Sequence, residues 1–237
     1  LWVAQPIALP GSGSLTGQNI WISVLDGKDT IFIGDSLGNI WALVDDGDGT
    51  YSGYWDPTFA SSFLATGEGP VYGIILHNGY IYITHNKYVS KYSLDSRTLQ
   101  WKAEVDASTS AQSVPSIDNE FVYVGWNDGV LRSYTINSAT TTGVLANSCI
   151  VEAGTTLGSP FVYGGQLFVS NDDGKIAKIP DASSFSTSDM VPYETTSVAR
   201  LQWCCTLQGQ CFDHVRCNWF SCEPCMAEFH NLSWSPS

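Results

Sequence analysis

Charge is scarce in this chain, and positive charge scarcest of all. Charged residues make up 14% of the 237, with ten basic against 23 acidic and a net charge of −13. That balance argues against nucleic acid as a partner, because neutralising phosphates takes clustered Lys and Arg. Anionic membrane surfaces are disfavoured for the same reason. Good helix formers are sparse too, with only two Met. No run of about 18 apolar residues is present, so no segment reads as a membrane-spanning helix. A secretory leader pattern is missing, and the chain opens at Leu1 rather than Met, as expected of a processed form or a fragment. Hydrolase elbows, phosphate loops and His-Glu-x-x-His patterns are lacking. The four histidines are scattered, His77 and His85 beside turns and His214 and His230 near the end. The chain is therefore not expected to be an enzyme.

What is abundant points to strands and turns. Apolar residues reach 43% and aromatics 13%, which excludes a disordered chain. Nine Trp, eleven Tyr, ten Phe and 22 Gly lie among Ser, Thr, Asn and Asp, a mixture that suits β-structure and tight turns. Four segments share one order of apolar strand, Asn/Asp/Gly turn, aromatic-centred strand, second turn and third strand. They span Trp21–Val44, Val71–Leu94, Val114–Ile136 and Pro160–Ile179. Their central aromatics are Phe32, Tyr82, Tyr123 and Phe168, spaced by 50, 41 and 45 residues. Within the strands apolar and polar residues alternate, the mark of half-buried β-structure.

The turns match. Asp26-Gly27, Asn78-Gly79 and Gly164-Gly165 suit two-residue hairpins with positive φ, and Asp118-Asn119 stands at the same place. Gly38, Gly129 and Gly174 occupy the next turn in three segments. Tyr88 stands there in the second, whose hairpin is expected to differ. A fourth strand is expected at Tyr54-Trp55, Leu99–Ala103, Val144-Leu145 and Leu201–Trp203. The Ser/Thr-rich stretch 180–198 reads as a long loop of the last unit. Leu1, Trp2, Val3, Ala4 and Gln5 resemble an outer strand with no unit before it. Such a strand would close the ring, belong to a unit cut off upstream, or be donated to a neighbouring molecule.

Such a repeat describes an all-β propeller of about four four-stranded blades over residues 1–203. A compact four-bladed ring is expected, with an arc of a larger propeller as the alternative. The units resemble the quinoprotein-like (pyrroloquinoline-quinone-type) β-propellers over roughly residues 15–203. The resemblance rests on Ser113-Val114-Pro115, Ser159-Pro160, Val122-Tyr123-Val124-Gly125 with Asp128-Gly129, and Leu94-Asp95-Ser96-Arg97-Thr98 leading to Trp101. It implies the blade. It does not carry the quinone chemistry across, since a cofactor-stacking surface and calcium site cannot be placed on particular residues.

Residues 204–237 form a separate cysteine-rich tail. Cys204, Cys205, Cys211, Cys217, Cys222 and Cys225 fall within 22 residues, which reads as three disulfides in a module too small for its own core. Their pairing is open. Zinc held by Cys217, Cys222, Cys225 and His214 or His230 is the rival, and redox activity of Cys222–Cys225 a third reading. Cys149 stands apart as a buried thiol or a partner for another cysteine. Asn231-Leu232-Ser233 is a glycosylation sequon, and Asn147-Ser148-Cys149 a rarer variant of one. Asp45, Asp46 and Asp48 surround two glycines as in a cation loop. They also fall where an outer-hairpin turn is expected, so Asp as turn cap competes with Ca²⁺, the one cofactor considered. Asp172-Asp173 follows the same logic.

The functional expectation is a secreted, non-enzymatic structural or adhesive propeller at the cell surface, a subunit of a surface assembly, appendage or filament. Its partners would be copies of itself or other extracellular proteins. The alternative is a carbohydrate- or peptide-binding module using Trp41, Trp126 or Tyr92, although aromatics at such places more often belong to the core between blades. A fragment of a quinoprotein-type dehydrogenase is the further alternative.

Overall fold

The computed structural model describes residues 13–57, 63–106, 108–194, 204–205 and 211–212. Its hairpins start where the turn chemistry dictates. Asp26-Gly27, Asn78-Gly79 and Gly164-Gly165 all have positive φ, from 49° to 77°. These are the left-handed pairs whose twist matches that of the strands they join. Asp118 solves the same problem differently. Its Oδ1 accepts the backbone N–H groups of Glu120 and Phe121, each at 2.8 Å, so the turn is held by a side chain and no left-handed backbone is needed. The hairpin at Tyr88 also differs, turning tightly through Asn86-Lys87 with Asn86 at φ 48°.

The strands group into four antiparallel sheets in sequence order. The first blade comprises β1 (Leu15–Leu25), β2 (Lys28–Asp35), β3 (Asn39–Asp45), β4 (Tyr51–Gly53) and β5 (Phe63–Ala65), the last two pairing with different halves of β3. The second holds β6 (Val71–His77), β7 (Tyr80–His85), β8 (Tyr88–Ser93) and β9 (Leu99–Glu104). The third holds β10 (Ser116–Ile117), β11 (Phe121–Gly125), β12 (Val130–Thr135) and β13 (Leu145–Ile150). The fourth holds β14 (Phe161–Tyr163), β15 (Gln166–Ser170), β16 (Lys175–Ile179) and β17 (Val191–Glu194). In the tail, β18 (Cys204–Cys205) and β19 (Cys211–Phe212) make a small antiparallel pair.

Two expectations need correction here. The fourth blade's outer strand is β17, inside the stretch expected to be loop. It follows a short 3-10 turn at Thr187–Asp189 and pairs Val191 with Lys178. An outer strand has one edge and much of its surface in water, so its composition need not alternate. The first blade's outer strand also precedes the expected Tyr54-Trp55, at Tyr51–Gly53. Leu1–Gln5, Leu201–Trp203, His214, Cys217, Cys222, Cys225, His230 and Asn231 lie outside the described residues, as do the side chains of Cys204, Cys205 and Cys211.

The blades pack face to face through one recurring unit. In each of the first three blades the second-strand aromatic lies against a second aromatic, and a ring polar atom reaches a carbonyl of the following blade. Phe32 meets Trp55 at 6.0 Å, and Trp55 Nε1 donates to the Leu94 carbonyl at 2.7 Å. Tyr82 meets Trp101 at 6.2 Å, and Trp101 Nε1 donates to the Ile136 carbonyl at 3.3 Å. Tyr123 meets Phe185 at 6.3 Å, and its hydroxyl lies 3.0 Å from the Ala182 carbonyl and 2.6 Å from Asp118 Oδ2. Burial and the neighbouring Asp118 carboxylate both push the Tyr123 phenol well above its usual range. Lys91 joins the second of these contacts. Its Nζ donates to the same Ile136 carbonyl and sits 3.8 Å over the Tyr80 ring, with burial lowering its pKa.

The following blade also shields its predecessor's outer edge. Thr141–Gly143 bonds to β9 through Lys102, and Thr187 Oγ1 accepts from the Ile150 backbone on β13. The core therefore lies between blades. One cluster spans the first three blades, and a second joins the third to the fourth.

Candidate interaction face

Register assigns each blade two faces. On β2, Thr30 and Phe32 point to the second blade. Their alternates Asp29, Ile31 and Ile33 point the other way, opposite Val24, Ile22 and Ile20 of β1. The same positions recur in later blades: Ile81 and Ile83 on β7, Val122 and Val124 on β11, Leu167 and Val169 on β15. Each of these six is no more than 2% exposed, because a preceding blade covers it. Ile31 and Ile33 are only half-buried. Ile20, Ile22 and Val24 are 62%, 54% and 54% exposed, whereas Leu76, the register equivalent of Ile22, is 8% exposed. The first blade thus presents an aliphatic face built for a neighbour and left open to water. Exposed apolar surface of this kind, contiguous and rimmed by polar residues, marks an interaction site.

The fourth blade ends in the converse face. Phe168, the counterpart of Phe32, Tyr82 and Tyr123, is half-buried, whereas those three are fully buried. Phe161 stacks on Tyr163 at 6.2 Å, and Tyr163 and Val191 are exposed. Lys178 lies 6.0 Å over the Phe168 ring. Packing runs from β1 and β2 to β6, from β6 to β10 and from β10 to β14. Nothing comparable joins β14 to β1 among the described residues. The described blades therefore form an open arc rather than a closed four-bladed ring.

The residues singled out from the sequence fall elsewhere. Trp41, Trp126 and Tyr92 are buried, so they are core and cannot serve as ligand platforms as they stand. Trp41 packs on Phe63 at 4.7 Å, and Tyr92 has its phenol raised to about 12 by burial and by Glu68. Asp45 and Asp48 each cap their own turn, accepting from Gly47 N at 2.8 Å and Thr50 N at 2.9 Å, while Asp46 pairs with Lys28 at 2.7 Å. The three carboxylates serve separate partners, and no cluster of metal-ligating side chains occurs among the described residues. Asp172 Oδ1 accepts from the Thr156 backbone at 3.0 Å. Cys149 is buried, and burial raises its thiol pKa. The Asn147 amide is engaged with Ser133 Oγ at 3.1 Å and the Ser183 carbonyl at 3.3 Å.

Two features went unread in the sequence. Asp35 is buried at the turn after β2, where its carboxylate accepts from Leu37 N, Asn39 N, Asn39 Nδ2 and Gly13 N at 2.8–3.1 Å. Burial works to raise its pKa, but these hydrogen bonds outweigh it and hold the carboxyl below its usual value. The aliphatic face is the other. Its signal was present, since Ile20, Ile22, Val24, Ile31 and Ile33 make the first unit as apolar on both faces as its interior counterparts.

No protein-family model and no curated protein matches this chain. Solved structures do. BamB from Moraxella catarrhalis is similar over 78% of this chain and 52% of its own, with 16% identity and a TM-score of 0.54. The computationally designed Ika4 protein is similar over 75% of this chain and 100% of its own, with 13% identity and a TM-score of 0.52. The designed Ika8 protein is similar over 73% of this chain and 48% of its own, with 12% identity and a TM-score of 0.52. Identities this low carry the fold alone, an all-β propeller-like arrangement. The chain spans about half the length of BamB and Ika8.

Proposed function

We propose that this chain is a non-enzymatic structural protein of an extracellular assembly, and that its propeller-like arc works as a protein-interaction module. The observation carrying this reading is the open aliphatic face of Ile20, Ile22, Val24, Ile31 and Ile33. Every register equivalent of Ile31 and Ile33 elsewhere in the arc is covered by another blade. Leaving such a surface in water forgoes about 25 cal/mol for each Å² of apolar area that a partner would cover. The acidic composition and the six terminal cysteines, taken as disulfides, support an oxidising, extracellular setting. A glycan at Asn231 belongs to the same picture.

The reading is tested by placing a photo-activatable benzoylphenylalanine at Ile22, with a control at exposed Leu99 on the outer strand of the second blade. In secreted material from the native host, position 22 is expected to give a discrete protein adduct and position 99 none. Absence of an adduct at position 22, or equal labelling at both, overturns it.

A further inference from the structure

Asn147-Ser148-Cys149 on β13 has the form of a glycosylation acceptor, yet the fold commits its amide elsewhere. An N-linked glycan replaces one of the two hydrogens on the carboxamide nitrogen and leaves a single one to donate. Here Asn147 Nδ2 donates twice, to Ser133 Oγ at 3.1 Å and to the Ser183 carbonyl at 3.3 Å, and its Oδ1 lies 3.5 Å from Phe185 N. The two Nδ2 partners differ in kind. Ser133 is fully buried and stands opposite Asn147 in the β12–β13 register. Ser183 belongs to the segment 181–189 of the fourth blade, which lies as a strap across β13. Beneath the strap Phe185 packs on Tyr123 at 6.3 Å, and the Tyr123 hydroxyl donates to the Ala182 carbonyl at 3.0 Å. Farther along, the Ile150 backbone donates to Thr187 Oγ1 at 3.0 Å. Cys149, the third residue of the sequon, is buried in the same cluster as Ala182 and Phe185. The folded chain therefore engages the acceptor nitrogen and covers the residue that completes the motif.

We infer that Asn147 is a conditional glycosylation site, whose amide either carries a glycan or anchors the strap, but not both. The transfer joins Nδ2 to the anomeric carbon of an oligosaccharide and breaks that carbon's bond to a lipid diphosphate, which leaves. One Nδ2 proton passes to a base of the transferring enzyme. The step has to precede closure of the strap, since closure takes up both Nδ2 hydrogens. A sugar already attached has no place between β12 and β13, because paired strands lie about 4.8 Å apart. The strap is then the element that yields, and Phe185 and Cys149 lose their cover. The secretory setting comes from the extracellular reading above, whereas the exclusion rests on hydrogen bonding at Asn147 alone.

The test sends the whole 237-residue chain through a eukaryotic secretory route by an added leader, so the outcome does not depend on where the native protein resides. Asn231→Gln removes the other sequon from every form. Cys149→Thr strengthens the acceptor, and lectin capture separates its glycosylated and bare fractions. Occupancy of Asn147 is read by peptide mass. Strap closure is read by the rate of chymotrypsin cleavage after Phe185, which is 5% exposed when the strap is seated. The glycosylated fraction is expected to be cut there at least about tenfold faster than the bare one. Ala139→Thr is the control, creating a sequon at exposed Asn137, away from the strap, where a glycan should leave that rate unchanged. Equal protection of the two Cys149→Thr fractions overturns the inference, as does equal acceleration by a glycan at Asn137. Complete absence of glycan from Asn147 in Cys149→Thr overturns it as an acceptor. Each of these failures leaves the interaction reading standing, since that is decided by the cross-link at position 22.

Discussion

Gly129→Ala should be a severely damaging single-methyl change. Gly129 has φ +77°, and a Cβ there would lie 1.7 Å from the Glu152 carbonyl oxygen and 2.6 Å from its carbon. Both are backbone atoms, and the Gly129 carbonyl accepts from Val151 N and Glu152 N. The clash therefore cannot be relieved without breaking the crossing of 129 over 151–153. Gly27 is the natural comparison, because its φ is also +77° but a Cβ there meets nothing within 4 Å. Left-handed backbone alone costs a non-glycine residue about 1–2 kcal/mol. Gly27→Ala should lose about that much in denaturant unfolding, and Gly129→Ala more than about 4 kcal/mol. Equal losses at the two sites would mean that steric contact at 152 contributes nothing.

Acid should destabilise the fold through His85 before the carboxylates titrate. His85 is fully buried, with Nε2 2.7 Å from Ser90 Oγ and Nδ1 without a hydrogen-bond partner among the described residues. Burial first, and the Lys102 charge second, lower its pKa from 6.5 to about 3. The folded state therefore refuses a proton that the unfolded chain accepts below pH 6.5. Stability is fully present above that value and falls as pH drops towards 3, by about 1.4 kcal/mol per unit. His77, half-buried, shifts in the same direction and adds a smaller term. Asp35, whose pKa is lowered in the fold, loses its contribution only as pH falls towards and below 3.8. Thermal melting compared between pH 7.5 and 5 thus isolates the imidazoles, and His85→Gln should flatten most of the change. A variant as acid-sensitive as wild type would assign the loss to other groups.

The blades were legible because hairpin chemistry and period-two alternation are local. Asp26-Gly27 or Val122-Tyr123-Val124-Gly125 means the same thing in any blade. Outer strands were less legible, because β17 is short, lies at the end of its sheet and reads as part of the polar stretch Asp181–Ser197 that surrounds it. The aromatics were ambiguous for a related reason. Trp41, Trp126 and Tyr92 serve equally as core or as ligand platform until a neighbouring sheet is seen to cover them. Whether four blades close on themselves is not a local property at all. It is decided by how β14 and β1 lie relative to one another, and no residue pattern within one blade encodes that. The open aliphatic face follows from the same non-local fact, so it emerged only when Ile31 and Ile33 were set beside their buried equivalents.

The first three blades are each braced by the one that follows, through a carbonyl such as Leu94 or Ile136, and a segment of the next blade also lies over the outer strand of the second and of the third. Such support is directional, like roof tiles, so loss of order at the trailing end removes a brace whereas loss at the leading end does not. Melting should therefore advance backwards along the chain, from the fourth blade towards the first. Docking of another sheet after the fourth would stop that fraying at its source.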